Sequence, residues 1–142
     1  MSTILPAGQE MGEPTELFRA SGLNAALTVA YLEVSVGWYR DALGFTIHQK
    51  YERQGKVMSG AMRAGSVRLL LNQDDGLKGL DRQKAEGISL QITTTDDVDA
   101  VADRIRAFGW QLETEPTDMP WGARAFRVID PDGFKFAIST ER

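Results

Sequence analysis

Few residue types in this chain could carry chemistry. Cysteine is absent, so a disulfide framework, a thiolate metal site and a cysteine nucleophile are all excluded. One histidine, His48, is present, which rules out a two-histidine metal site within one chain. A histidine could act as a general base near neutral pH. His48 stands between Ile47 and Gln49 in an alternating stretch, however, and reads better as an exposed strand position. Arg124 follows Gly122 by two residues and could grip a carboxylate or phosphate bidentately. An ion pair closing the nearby Pro131-Asp132-Gly133 turn is the better reading. Trp121 sits in a Pro120-Trp121-Gly122 turn. There its indole could serve as a platform for a planar or cationic guest, or pack over a sheet edge; both readings stand. Gly55, Gly60 and Gly65 punctuate strands rather than forming a phosphate loop, and no Ser-His-Asp order suggests an activated nucleophile.

The elements that must position these groups come in two similar series. Leu23 to Val29 alternates like a half-buried strand. Leu32, Val36, Tyr39 and Leu43 then form one stripe of an amphipathic helix, with Gly44 as its C-terminal stop. Trp38 beside the stripe reads as core, with a partner-facing role as the alternative. Three strands are predicted next, over Phe45–Glu52, Val57–Arg63 and Ser66–Asn72, before a polar linker. The order then restarts at Ile88, Leu90 and Ile92. Asp96 or Asp97 caps a helix bearing Val98, Ala102, Ile105 and Phe108, and Gly109 ends it. Strands over Trp110–Glu115, Ala123–Ile129 and Phe134–Thr140 complete the series. The helix ends, Ala42-Leu43-Gly44-Phe45 and Ala107-Phe108-Gly109-Trp110, match as well. The pattern is a duplicated βαβββ module of about 50 residues, too small to bury a core alone.

Strand parity divides each strand between two faces. Leu27, Val29, Leu69, Leu71, Leu90, Ile92, Phe136 and Ile138 form an apolar set that should lie under the helices. The opposite parity is small and polar, with Arg68, Asn72, Gln91 and Lys135 among its members. A helix-free face of this kind suits a ligand cup, and equally a solvated surface.

Two segments resemble one family. Leu27 to Phe45, with its Leu-x-Val, Trp-Tyr and Leu-Gly-Phe, resembles the opening of vicinal-oxygen-chelate proteins, the glyoxalase/bleomycin-resistance/dioxygenase group. Pro120 to Phe134, with Trp-Gly-x-Arg and Asp-Pro-Asp-Gly, resembles the closing motif, closest to the bleomycin-resistance-like branch. The resemblance implies an α+β fold of two tandem βαβββ modules that curve a mixed sheet around a cup, with helices outside. Module one is placed at 22–73, a linker at 74–85 and module two at 86–141. Together they form one domain over 21–142, preceded by a flexible arm over 1–20. Metal enzymes of the family hold their ion with a histidine or glutamine on each first strand and a glutamate on each last strand. Carried onto this chain, those positions fall on Asn24, on Leu70 (or Leu69), on Gly87 with Gln91 as the nearest donor, and on Ala137. Alkyl groups, glycine and neutral amides do not hold a catalytic cation, so no metal or other cofactor is expected. In bleomycin-binding relatives the counterpart of Trp121 stacks on the drug, paired with an aromatic for which Tyr51 is the nearest candidate. The expected ligand-binding set is therefore Trp121, Arg124, Asn24, Arg68, Leu70, Gln91, Ala137 and His48, with no catalytic residue assigned.

Composition narrows the partners. The 142 residues include 42% hydrophobic and 25% charged types, a soluble globular balance, and no run approaches a membrane span. A net charge of −4 with scattered Lys and Arg disfavours nucleic acid. No secretory signal is apparent at the N-terminus, so a cytoplasmic location is expected. The resemblance further implies a homodimer that binds a small molecule, planar or cationic, by sequestration; an enzyme of lyase or isomerase type is the alternative.

Overall fold

The apolar parity sets form the centre of the protein. Leu27, Val29, Leu69, Leu71, Phe136 and Ile138 are all buried, in a single cluster with residues of both helices. The computed structural model describes residues 15–141. Most of the expected arm, residues 1–14, lies outside the described residues. The remainder of it is irregular chain, with Leu17 and Phe18 open to solvent; Leu23, expected to begin the first strand, is likewise exposed ahead of it.

The chain runs β1 (Ala25–Val29), α1 (Leu32–Asp41), β2 (Thr46–Arg53), β3 (Lys56–Ala64) and β4 (Val67–Gln73). It then repeats as β5 (Ser89–Thr94), α2 (Val98–Ala107), β6 (Thr114–Asp118), β7 (Arg124–Ile129) and β8 (Lys135–Thr140). Each module makes one mixed four-stranded sheet. The orders are β1-β4-β3-β2 and β5-β8-β7-β6, with the first pair in each parallel and the others antiparallel. β1 and β5 are thus outer strands, each with one side unpaired among the described residues. Both helices have 10 residues, and no described helix is long and apolar enough to cross a membrane.

Local chemistry sets the helix ends. Asp97 caps α2 by accepting from the Asp99 N–H at 2.9 Å. At its other end Trp110 N–H donates to Ile105 and Gly109 N–H to Arg106, with Gly109 at φ 90°. The chain is therefore still leaving the helix at Trp110. The strand expected from there begins instead at Thr114, while Leu112 packs on the core. No side chain of its own caps α1. Gln73, at the end of β4, accepts from the Leu32 N–H at 2.9 Å and donates to the Ala30 carbonyl at 2.7 Å.

The modules are joined through polar bonds as well as apolar contact. Tyr39, fully buried on α1, donates its hydroxyl to Asp130 at 2.5 Å, and its ring meets Phe136 edge-on. Burial pushes the Asp130 carboxyl up, against the hydrogen bonds from Tyr39, Phe134 and Asp132, while the Asp132 charge adds to the rise. Burial foremost, then the neighbouring Asp130, raises the Tyr39 phenol as well. Asp132 accepts from Ala30 N–H at 2.8 Å and from the Ser35 hydroxyl at 3.2 Å. Trp38 is buried edge-on to Trp110 of the second module, so it is a core residue, not a partner-facing one. The segment expected as a plain linker is pinned down. Lys84 bridges Asp132 at 3.0 Å and Asp74 at 3.6 Å, and Arg82 also pairs with Asp74. The Gly76 N–H, ahead of Arg82 and Lys84, holds the Asp74 carboxyl below its usual range.

Candidate functional site

Each sheet covers one side with a helix and leaves the other open. Cross-strand register defines the open side of the first sheet: Ala26 lies beside Leu70 and Thr28 beside Asn72. On the next strand Ser59, Ala61 and Arg63 face Asn72, Leu70 and Arg68. The Ser59 hydroxyl donates to the Asn72 side chain at 2.7 Å, which places the two on the same side. On the second sheet Gln91 lies beside Ala137, Ser89 beside Lys135, and Arg127 beside Ala137. Leu70 and Ala137 are half-buried, whereas Arg68, Gln91 and Lys135 are exposed.

The register also corrects one correspondence. Leu90 pairs with Phe136 as Ala25 pairs with Leu69. Asn24, just ahead of β1, therefore matches Ser89 rather than Gly87. Gly87 lies before β5 at φ 79°, in a turn that resembles a strand start only in sequence. The four positions are then Asn24, Leu70, Ser89 and Ala137. An amide, an alkyl chain, a hydroxyl and a methyl do not fit a divalent transition metal, which needs imidazole, thiolate or carboxylate donors. Among the described residues no group of three or more His, Asp or Glu is arranged to hold a metal ion.

Three other expected site residues lie away from these positions. Arg124 points to the helix side. Its guanidinium takes both oxygens of Asp99, at 2.7 and 2.9 Å, and Asp118 at 3.0 Å. The hydrogen bond from Arg124, foremost, holds the Asp99 carboxyl below its usual range. Arg124 does not close the Asp-Pro-Asp-Gly turn, whose carboxylates are taken by Tyr39, Ser35 and Lys84. His48 falls at a bulge in β2, where pairing with β3 skips from Ile47 to Gln49, and it is exposed on an outer strand. Trp121 occupies the β6–β7 turn, 54% exposed, with the Gly122 N–H donating to the Met119 carbonyl. Tyr51 is on the first sheet, its hydroxyl donating to Gln49 at 3.2 Å, so the two aromatics belong to different sheets of one chain.

Sequence reasoning missed Arg63, Arg127 and Ser59 on the open sides. Parity along β3 and β7 would have found them, since each stands directly across from a residue already assigned there.

Residues 23–138 match the sequence profile of the Glyoxalase/Bleomycin resistance protein/Dioxygenase superfamily. A search of curated proteins finds no significant match. Among solved structures, an integron cassette protein from Vibrio cholerae is similar at 20% identity and TM-score 0.68, covering 89% of this chain and 99% of that one. A glyoxylase/bleomycin resistance protein/dioxygenase domain from Frankia sp. EAN1pec is similar at 19% identity and TM-score 0.69, covering 87% and 94%. A lactoylglutathione lyase from Agrobacterium tumefaciens is similar at 19% identity and TM-score 0.60, covering 86% and 94%.

Proposed function

The chain belongs to the glyoxalase/bleomycin resistance protein/dioxygenase superfamily, and from that premise we propose that it is a metal-free, cytoplasmic small-molecule binding protein that sequesters a flat organic guest against its open sheet faces. One observation carries this reading: the four positions that correspond to the metal ligands of the family's enzymes hold Asn24, Leu70, Ser89 and Ala137. Affinity there must come from shape, apolar contact and stacking rather than from coordination.

The two faces belong to separate sheets, and both sheets end in an outer strand with an unpaired side. The reading includes a homodimer, in which a second copy covers a face that one chain leaves open. In such a cup Trp121 is the stacking platform, with Tyr51 on the facing sheet, around Leu70, Gln91 and Ala137. Titration with a panel of planar aromatic compounds, followed by tryptophan emission and melting temperature, tests it. Binding that Trp121→Ala weakens and that metal chelators leave unchanged supports sequestration. Binding that requires an added divalent metal sinks it.

The alternative is an enzyme of the same fold, lyase or isomerase in type, working without a metal. It would rest on His48, the chain's one histidine, as the proton-transferring group. Turnover of a small carbonyl substrate that is lost in His48→Ala would favour it.

A further inference from the structure

The charge of the open faces identifies the guest more closely. β1, β3, β4, β5, β7 and β8 contain no Asp or Glu. The two acidic residues of β6 are engaged elsewhere, Asp118 by Arg124 and Glu115 by Arg106 of α2. The cations on the open sides, by contrast, have no ion-pair partner among the described residues: Arg63 and Arg68 on the first sheet, Arg127 and Lys135 on the second. Arg63 and Arg68 are direct cross-strand neighbours, an arrangement in which like charges repel. A chain of net charge −4 has carboxylates to spare, yet none of the described ones is ion-paired to these four.

The second group is also seated in a depression. Arg127, Lys135 and Ser89 line a cavity of about 610 Å³ between the sheet and linker residues 83–87. Of its two carboxylates, Asp132 is bound by Lys84, Ser35 and the Ala30 N–H, which leaves Glu86 as the one lining carboxylate facing the three lining cations Lys84, Arg127 and Lys135. Ser89 and Lys135 are side-by-side partners, and Arg127 is diagonal to Lys135. Long side chains on such diagonals can converge on one group.

Resting on the sequestration reading above, we propose that the guest is an organic anion, whose carboxylate or phosphate seats between Arg127 and Lys135 with the Ser89 hydroxyl as a further donor. Guanidinium and ammonium groups bind such oxygens by charge-assisted hydrogen bonds. In a cup between copies, two positively charged faces would approach each other, and an anion between them relieves the repulsion. A cationic guest is thereby set aside.

Calorimetric titration of the full chain with three probes of one shape separates the possibilities: naphthoate, neutral naphthamide and naphthylmethylammonium. Naphthoate is expected to bind at least about tenfold tighter than naphthamide, with the ammonium weaker still and the advantage shrinking in salt. The double variant Arg127→Gln, Lys135→Gln should erase the advantage while keeping naphthamide affinity. Arg127→Lys should restore part of it. A control with the same charge change on the β2–β3 hairpin, Lys50→Gln with Lys56→Gln, should leave it intact. The proposal is overturned if naphthoate is no tighter than naphthamide. It is equally overturned if the advantage survives the Arg127/Lys135 variant or disappears in the control. If the neutral or cationic probe binds best, sequestration stands and only the anion assignment fails; if none of the three binds, sequestration fails with it.

Discussion

Replacing Tyr39 by phenylalanine removes one oxygen from the joint between the modules and nothing from its packing. The lost group donates to Asp130 at 2.5 Å, and the partner is itself buried. Asp130 keeps the Phe134 and Asp132 N–H bonds on its other oxygen, at 2.8 and 2.9 Å, so one carboxylate oxygen is left without a donor. A hydrogen bond to a charged group contributes about 1.5–3 kcal/mol, and a loss of about 2 kcal/mol is expected at pH 7. For a domain of this size that lowers the melting temperature by on the order of 6 °C. The loss should depend on pH with a definite sign. The folded Asp130 carboxyl titrates above its unfolded value, so its ionised form weakens the fold at neutral pH, and that penalty fades as pH falls through the folded pKa. The Tyr39 bond opposes this rise, and removing it raises the folded pKa further. The deficit of Tyr39→Phe against wild type should therefore be largest above the folded pKa. On acidification it should shrink to the roughly 1 kcal/mol of a neutral hydrogen bond. Urea unfolding of both proteins from pH 7 down to pH 5, with matched slopes, measures it. A deficit below about 0.5 kcal/mol at pH 7, or one that grows on acidification, would refute the reasoning.

Three further outcomes follow from the same contacts. Lys84→Met leaves Asp132 and Asp74 without their shared cation in a buried setting, and should cost about 3 kcal/mol in urea unfolding. Arg124→Ala releases Asp99 and Asp118 from a partly exposed ion pair. The Asp99 carboxyl is held low, so this contribution is present above the unfolded carboxylate pKa and is lost as pH falls through the folded one; the stability gap to wild type should close in acid and in high salt. Added Zn, Ni or Mn at a hundred micromolar should leave the melting temperature unchanged, whereas a bound ion would raise it by mass action.

Sheet sidedness was legible because period-two alternation is local: Leu69, Leu71, Phe136 and Ile138 declare their face within three residues. The duplicated order was legible for the same reason, through recurring helix stripes and glycine stops. What escaped was set by contacts distant in the chain. Trp110 has strand-like neighbours, but α2 holds its N–H and Trp38 receives its ring. Nothing near Arg124 in sequence reveals Asp99, which is 25 residues away. Gly87 and Ser89 differ by one step of parity-matched register, which only strand pairing resolves. The polar run from Asp74 to Lys84 looks solvated until Asp132 arrives from 48 residues downstream.

The joint between the modules also shows what the duplication has become. The turn of the second unit carries Asp130 and Asp132, which serve the first unit's Tyr39, Ser35 and Ala30. The corresponding turn of the first unit, Ala64-Gly65-Ser66, has no carboxylate to return. Two first halves set face to face would strand their phenols, and two second halves would bury acids without donors. Twin sequences have diverged into a matched pair, so each half recognises its sibling and not its own image.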